Sequence, residues 1–232
     1  MILTNMSVTI ISVGNGGFNV ASDIIKAGIF PEHRFIVDTD NEQLEHNAET
    51  ADKSILLEPF GRGKVKSALT GLVDEVLDGT SDTIIVCTTL GGKTGTKYAP
   101  LISLNAILQG KFVCNVFSMP YKFEGSAKND LASTAWHLMV CSGNLTFQQY
   151  NEGLKHVENL MMGEMDKPLV DTVSNALSSH TVQELSQMNK EQLGGVIPKE
   201  YQLKGIPLIR IVGDAYPKIT EADRKQLFDE LA

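Results

Sequence analysis

The stretch that decides the fold is VTIISVGNGGFN, residues 8–19. Its first six residues form a largely β-branched run that ends at Gly14, which is typical of a buried strand. The glycines that follow let the backbone approach a phosphate closely, and the helix predicted next supplies N–H groups and the positive end of its dipole. Taken alone, the pattern fits a tight strand-to-helix turn as well as it fits a phosphate site.

Outward from this stretch, strands and helices alternate along the first 140 residues. A helix is predicted from Asn19 to Ala27, with Gly28 as its stop. Further strands are predicted at 34–37, 83–87, 112–117 and 138–141, and further helices at 64–77, 99–108 and 126–137. This alternation predicts an α/β fold, a Rossmann-like and mostly parallel sheet with helices on both faces. In such sheets the ligand lies beyond the carboxyl ends of the strands.

The rest of the chain has a different pattern. Apolar residues recur at spacings of three and four from Phe147 to Met161, which predicts a long helix over 146–165. Another helix is expected at 169–188, a strand at 208–212 and a final helix at 220–231.

Composition and charge exclude several classes of protein. With 42% hydrophobic and 21% charged residues in 232, the chain is expected to fold around a sizeable core. No apolar run reaches about 18 residues, so no membrane span is expected, and residues 1–7 lack the basic region of a signal peptide. A net charge of −8 with scattered Lys and Arg argues against a broad nucleic-acid surface. Cys87, Cys114 and Cys141 lie in apolar stretches and indicate reduced core residues of a cytoplasmic protein.

A second glycine-rich turn, GGKTGT at 91–96, also follows a predicted strand and precedes a helix. Its backbone N–H groups are suited to form an anion-binding nest. It is not the P-loop that binds phosphates in many NTPases, because no glycine stands five residues before Gly92.

Two further turns carry carboxylates. The segment Asp38-Thr39-Asp40 ends the second strand, and it would either hold a hydrated Mg²⁺ or form a solvated Asx turn. In PYKFEG, residues 120–125, Glu124 would either accept hydrogen bonds from ribose hydroxyls or serve as an acidic residue at a helix N-terminus.

Taken in order, these segments resemble the nucleotide loops of the tubulin/FtsZ superfamily of GTPases, with FtsZ the closer side. Residues 14–19 are similar to the family's Gly-rich loop, whose final Asn contacts guanine, and 35–40 resemble a segment that ends in Asn-Thr-Asp. Residues 89–96 stand in the place of the signature Gly-Gly-Gly-Thr-Gly-Thr/Ser-Gly, and 120–125 match Pro-aromatic-any-Phe-Glu-Gly. Lys128 occupies the place of an Arg near the ribose and phosphates.

The resemblance implies GTP or GDP, with Mg²⁺, as the bound ligands. It implies that Phe147 stacks on the base and that Asn151, four residues later, meets the Watson–Crick edge of guanine from the same helical face. The alternative is that Phe147 packs under the sheet. Asp40 would hold the Mg²⁺ through water. The implied nucleotide contacts are Gly14, Asn15, Gly16, Gly17, Asn19, Asp38, Asp40, Gly61, Gly63, Gly91, Gly92, Lys93, Thr94, Gly95, Thr96, Pro120, Glu124, Lys128, Phe147 and Asn151.

The sequence departs from the family pattern in three places, two that bear on GTP hydrolysis and one in the C-terminal region after residue 165. Lys93 and Lys97 replace glycines of the signature, so that Lys93 either reaches a phosphate oxygen or narrows the γ-phosphate site. The family's loop that completes hydrolysis in a neighbouring subunit corresponds to 166–172, where Asp171 is the candidate catalytic carboxylate. About 60 residues follow that loop, fewer than the family's second domain needs. We therefore expect a nucleotide-binding domain over 1–165, including the long helix, and a reduced C-terminal region over 166–232.

The expected function is that of a guanine-nucleotide-binding, FtsZ/tubulin-like, filament-forming cytoplasmic protein with weak or absent GTP hydrolysis. Its expected partners are its own copies or other FtsZ/tubulin-like subunits. One alternative is an active self-assembling GTPase whose hydrolysis is completed between subunits. Another is an NAD-dependent oxidoreductase in which Asp38 binds the ribose, although that function leaves residues 91–96 and 120–125 unexplained.

Overall fold

The computed structural model describes residues 4–57, 74–158, 160–161 and 164–213. Seven strands of this part form one sheet, in the order β3-β2-β1-β4-β5-β6-β7. The strands are β1 Thr4–Val13, β2 Ile29–Asp38, β3 Lys53–Leu56, β4 Thr83–Thr89, β5 Phe112–Met119, β6 Leu145–Tyr150 and β7 Ile209–Val212. The helices are α1 Gly14–Lys26, α2 Asn41–Asn47, α3 Lys93–Leu108, α4 Ser126–Cys141, α5 Lys167–Ser179, α6 Val182–Gln187 and α7 Lys190–Gly195.

The first six strands are parallel, and β7 pairs antiparallel with β6. Side chains of neighbouring residues in the strands enter two separate cores. Ile11 and Ile84 pack with α3 and α4 on one face of the sheet, whereas Ile10 and Ile85 pack with α1 and α5 on the other. Because both faces are covered, most residues of the central strands are buried, including polar ones such as Asn115 and Gln148. The predicted fold class, a mostly parallel sheet with helices on both faces, is confirmed.

The predicted long helix over 146–165 is wrong. Residues Leu145–Tyr150 form β6, which pairs with β5 and β7, and a short 3-10 helix follows over Asn151–His156. The apolar residues that are spaced like those of a helix do not share one helical face. Phe147 packs in the core on the α1 and α5 side of the sheet, whereas Leu154 packs in a small separate cluster with Tyr201 and Leu208. Pairing on both sides of β6 thus overrides the local helical pattern.

Other element boundaries also differ from the prediction. The segment 138–141 is the last turn of α4 rather than a strand. The helix expected over 169–188 is two helices, because Thr181 forms a capping box with Glu184 and starts α6. The strands β3 and β7 both exist, but only the second was predicted. The predicted helix at 220–231 and most of the one at 64–77 lie outside the described residues. The domain division after residue 165 stays a prediction.

Two of the three cysteines are core residues, as predicted. Cys87 and Cys114 are fully buried on the α1 and α5 face, and burial raises the pKa of Cys87 to about 12. Cys141 is only half-buried at the end of α4, where its Sγ lies 3.8 Å from Nε2 of His137. Within the part of the chain that the structure describes, none of the helices combines the length and the apolar character needed to cross a bilayer.

Helix α1 lies against β4 at a distance that leaves no room for a side chain. A Cβ atom on Gly17 would lie 2.2 Å from the carbonyl oxygen of Cys87, and one on Gly16 would lie 2.1 Å from Oγ1 of Thr89. These two glycines are therefore required by packing, whether or not a ligand is present.

We predict that Gly17→Ala destabilises the protein by about 1–3 kcal/mol, because the methyl group can be accommodated only if α1 moves away from β4. Urea unfolding measures the change in the free energy of unfolding. Gly195→Ala is the matched control, since no atom of the described residues lies within 4 Å of the added methyl group. Equal stabilities of the two variants would show that α1 is not held in this close contact.

Candidate nucleotide-binding site

The carboxyl ends of β1, β2 and β4 are joined by direct contacts. A Cβ atom on Gly14 would lie 3.4 Å from Cβ of Thr94 and 3.5 Å from the backbone nitrogen of Gly95. The hydroxyl of Thr94 lies 3.0 Å from Oδ1 of Asp38 and 2.6 Å from Oγ1 of Thr39. The two glycine-rich turns and the Asp-Thr-Asp turn thus form one continuous surface.

The turn after β5 completes this surface. Gly91 adopts a φ of +92°, and a Cβ atom there would lie 3.1 Å from Cγ of Lys128 and 3.3 Å from Cγ of Pro120. Lys128 forms an ion pair with Glu124, which also accepts the backbone N–H of Tyr121 at 2.7 Å. Burial alone would raise the pKa of Glu124, but the hydrogen bonds from Lys128 and from Tyr121 outweigh it and lower this pKa.

The helices that begin at this edge have uncapped N-termini. The residues that precede α1, α3 and α4 are Val13, Gly92 and Gly125, none of which makes a side-chain cap. None of these three helices has an acidic residue in its first turn, and Lys93 is the exposed first residue of α3. This arrangement leaves backbone donors and the positive ends of three helix dipoles at one place, which is suited to bind an anion.

Glycines of the two turns divide into two roles. Gly16, Gly17 and Gly95 are close to atoms of β4, and a Cβ atom on Gly95 would lie 2.1 Å from Oγ1 of Thr88. Gly92, in contrast, has no atom of the described residues within 4 Å of its Cβ position and an ordinary φ of −82°. Packing therefore explains the first three glycines, whereas neither backbone strain nor packing against the described residues explains the absence of a side chain at Gly92.

The two aspartates after β2 hold the local backbone. Asp40 caps α2 by accepting the backbone N–H groups of Glu42 and Gln43 at 3.0 and 3.3 Å. Asp38 is buried and accepts the Thr39 N–H at 2.7 Å as well as the Thr94 hydroxyl. Of the two alternatives for residues 38–40, these hydrogen bonds to nearby backbone N–H groups correspond to the Asx turn. No group of three or more His, Cys, Asp or Glu side chains able to hold a metal occurs among the described residues.

An open cleft of about 880 Å³ adjoins the first glycine turn, between α1 and the start of α5. From α1 its lining includes Asn19 and Asp23, and from the start of α5 it includes Asp166, Lys167 and Asp171. Burial, with a smaller contribution from the charge of Asp23, raises the pKa of Asp166. The cleft thus places the amide of Asn19 in the same depression as half-buried carboxylates.

The start of α5 is held by a buried side chain of β6. Gln149 has no exposed surface, and its Oε1 accepts the Leu169 N–H of the first turn of α5 at 3.0 Å. Its Nε2 donates to the carbonyl of Met165 at 2.8 Å and to Oδ1 of Asn151 at 2.9 Å. Gln149 was not predicted as a site residue, because its segment was assigned to a helix. Even a correct prediction of the strand β6 would not have shown that Gln149 bonds to the start of α5.

The structure contradicts the predicted base contacts of the long helix. Phe147 is fully buried in the core of β6, as the alternative prediction had it, and cannot stack on a base. Asn151 is not on a helical face with Phe147, since it begins the 3-10 helix after β6 and bonds to Gln149. Both predicted roles depended on the helix that does not form.

Asp171 is not in a loop either. It lies in α5, where its Oδ2 accepts the hydroxyl of Tyr201 at 2.6 Å and lies 3.5 Å from Nζ of Lys167. Its assignment as a carboxylate delivered to a neighbouring subunit therefore loses its structural premise.

Two of the predicted nucleotide contacts, Gly61 and Gly63, lie outside the described residues. Asp23 and Asp166 were missed, although Asp23 stands four residues after Asn19 and so shares its helical face.

Comparisons with known proteins agree with this architecture. No family model matches the sequence. The cell division protein FtsZ of Mycoplasmopsis pulmonis is 26% identical over 191 residues, which are 74% of this chain and 48% of that protein. The chain therefore spans about half the length of that relative.

Solved structures of FtsZ and of CetZ share the fold. An FtsZ dimer from M. jannaschii, described as empty, superposes with a TM-score of 0.60 at 23% identity, over 74% of this chain and 54% of that one. A GTPγS-bound protofilament of CetZ2 from Haloferax volcanii superposes with a TM-score of 0.53 at 18% identity, over 73% and 56% of the two chains. At these identities the superpositions establish the fold alone.

We predict that Thr94→Val destabilises the protein by about 1–3 kcal/mol, because the nearly isosteric change leaves buried Asp38 without its hydroxyl donor. Thr134→Val is the matched control, since that hydroxyl bonds only to a carbonyl on the exposed side of α4. Chemical denaturation of both variants measures the difference. If Thr94→Val is as stable as the control, the contact between the turns after β2 and β4 does not hold the site together.

Proposed function

The chain belongs to the tubulin/FtsZ superfamily as a divergent and partial member, and we propose that it binds a guanine nucleotide at the carboxyl edge of its sheet. The phosphates lie at the glycine turns of residues 14–17 and 91–96, and the base lies in the cleft between α1 and α5. The nucleotide named in the CetZ2 structure supports the same class of ligand for this chain.

The observation that carries the proposal is the difference between the helix N-termini. The helices α2, α6 and α7 start with Asp40, Thr181 and Asn189, each of which caps its own helix with a side chain. The helices α1, α3 and α4, which begin around the glycine turns, have no such caps. The N-cap residue of α5 makes none either, but there the side chain of Gln149 accepts the Leu169 N–H. Unsatisfied donors and aligned dipoles are costly unless water or an anion meets them, and a di- or triphosphate is a suitable anion.

The lining of the cleft favours guanine as the base. Asn19 presents an amide donor and an amide acceptor, and the carboxylates of Asp23 and Asp166 present acceptors only. Guanine carries two neighbouring N–H donors on its Watson–Crick edge. Adenine has no such pair, so carboxylate acceptors discriminate against it.

The NAD-dependent alternative is disfavoured by the contacts of Asp38. That carboxylate is 6% exposed and already accepts the Thr94 hydroxyl and the Thr39 N–H, which leaves little capacity to bind a ribose. The second glycine turn also has no part in a dinucleotide site of that kind.

We propose further that the chain hydrolyses GTP weakly or not at all. Orientation of an attacking water needs a positioned side chain. Asp171, the predicted carboxylate, is instead bonded to Tyr201 within its own chain. Mg²⁺ would accompany the phosphates and be held by water and phosphate oxygens, with Asp40 as the predicted water-mediated contact. Self-assembly into filaments remains part of the proposal, and the protofilament named for CetZ2 supports it.

We predict that Gly92→Ala lowers the affinity for GDP by about tenfold, or ~1.4 kcal/mol, without loss of stability. The added methyl group meets no atom of the part of the chain that the structure describes, so the change is expected to act on a ligand close to the backbone. Isothermal titration with GDP, GTP, ADP and NAD measures binding. The control is Gly194→Ala, which also adds a methyl group to open space. Unchanged GDP affinity in Gly92→Ala would place the phosphates elsewhere, and NAD binding without GDP binding would overturn the proposal.

We predict slow phosphate release from GTP in the presence of Mg²⁺, with no steep dependence on protein concentration. The measurement is steady-state phosphate release over a wide concentration range, together with light scattering. Turnover that rises steeply with concentration and disappears in Asp171→Ala would establish the alternative, a self-assembling GTPase completed between subunits.

A further inference from the structure

We propose that Arg34 and Ser22 bind the carboxylate of a small apolar ligand, at a site beside helix α1 that is separate from the nucleotide contacts. The site is the part of the cleft of about 880 Å³ that is lined by Phe18, Ser22, Ile25, Arg34 and Thr50. None of these five residues is a predicted nucleotide contact, and the binding of such a ligand does not depend on the proposed function.

Arg34 lies within β2, on the face of the sheet that α1 covers. Its register partner in β1 is Ile10, a buried residue of the core on that face. Nη2 of Arg34 donates to Oγ of Ser22 at 2.6 Å, and the guanidinium carbon lies 4.9 Å from the centre of the Phe18 ring. Because Phe18 and Ser22 are four residues apart, one side of α1 supplies both contacts. The guanidinium is therefore held in a defined position where it lines the cleft.

The charge of Arg34 is half-buried and has no counter-ion in the described part of the chain. No carboxylate oxygen of those residues lies within 4 Å of the guanidinium, and its Nε is buried without a hydrogen-bond partner among them. Asp52 accepts the backbone N–H of Arg34 at 2.7 Å rather than a guanidinium N–H. Burial lowers the pKa of Arg34. A charge that is withdrawn from water without a partner costs stability, and a bound anion offsets that cost.

The donors at this place suit a planar carboxylate. The terminal nitrogens of a guanidinium are spaced to bond both oxygens of one carboxylate. Ser22 adds a donor, because its oxygen accepts from Arg34 while its own hydrogen has no acceptor among the described residues. A phosphate dianion would keep one negative charge uncompensated, since both lysines that line the cleft are already paired with aspartates, at 2.8 and 3.5 Å.

The surroundings of these donors favour an apolar body on the ligand. The Phe18 ring is half-buried, and Ile25 packs partly buried against the core. The hydroxyl of Thr50 is occupied, because it donates to the carbonyl of Asn47 at 2.8 Å. An aliphatic group beside the carboxylate therefore meets apolar surface rather than further donors. A free branched carboxylic acid and the C-terminus of a peptide that ends in an apolar residue both have this chemistry.

The first test uses the unmodified protein and follows its backbone amides by two-dimensional NMR during titration. N-acetyl-leucine is expected to shift the amides of residues 18–25 and 34–36, with a dissociation constant of about 1–10 mM for so small a ligand. N-acetyl-leucinamide, which lacks the charged carboxylate, is expected to bind at least about tenfold more weakly. Titration with 4-methylpentanoate distinguishes the sources, since equally tight binding indicates a free acid and weaker binding a peptide C-terminus. Equal binding of the acid and its amide, no shifts in these residues, or tighter binding of inorganic phosphate would overturn the proposal.

The second test is the variant Arg34→Met, which keeps an apolar stem over Phe18 and removes the charge. It is expected to bind N-acetyl-leucine at least about tenfold more weakly, and to unfold at the same or a higher urea concentration because an unpaired charge is lost. Lys26→Met is the matched control, since it removes a positive charge from the same cleft and is expected to change the affinity by less than about twofold. An equal loss of binding in both variants would show a general attraction of anions and overturn the proposal. Unfolding of Arg34→Met at a clearly lower urea concentration would also overturn it, because the guanidinium would then be required by the fold.

Discussion

The contact between α1 and β4 is the constraint on which the rest of the site depends. Gly17 lies so close to the carbonyl of Cys87 that α1 rests directly on the backbone of the sheet. That contact brings the N-terminus of α1 beside that of α3, where Gly14 meets Thr94. The hydroxyl of Thr94 then ties β2 to the same place through Asp38. A larger side chain at Gly17 would separate these turns, and the three strand ends would no longer form one surface.

This packing has an electrostatic consequence. Bringing uncapped helix N-termini together concentrates positive potential at one edge of the sheet, although the chain as a whole carries a net charge of −8. Lys93, at the first position of α3, adds to that potential rather than opposing it. In other helices of the chain, side chains such as Asp40 and Thr181 satisfy the same backbone groups. The N-termini of α1, α3 and α4 thus lack side-chain caps around the two glycine turns, where the proposed phosphates would meet their backbone N–H groups.

Much of the fold and part of the site could be predicted from the sequence, and the failures have a common cause. The strand-to-helix junctions within residues 8–19 and 91–96 were predicted correctly, because glycine strongly favours such turns, but α1 and α3 begin at Gly14 and Lys93 rather than at Asn19 and Ala99. Phe147 and Asn151 were misplaced, because the segment around them has helical spacing but is buried as a strand between β5 and β7. Its polar residues are paired inside the protein, Gln148 with Trp136 and Gln149 with the start of α5. Such long-range pairing leaves no local pattern.

The same error hid the carboxylates of the cleft. With residues 146–165 assigned to one helix, Asp166 fell at the start of a loop rather than at the N-cap of α5. The prediction consequently looked for the base beside β6 and for a catalytic carboxylate at Asp171. In the structure, the cleft has Asn19 on one wall and the start of α5 on the other. The nucleotide is thus expected between two helices that cover the same face of the sheet.

The most direct test of this account is to map the backbone amides that respond to GDP by two-dimensional NMR of the labelled protein. The account predicts that the largest shift changes fall on residues 14–19 and 91–96 for the phosphates and on 164–171 for the base. Changes concentrated around the separate depression lined by His156 and Tyr201, or no changes at millimolar GDP, would contradict it.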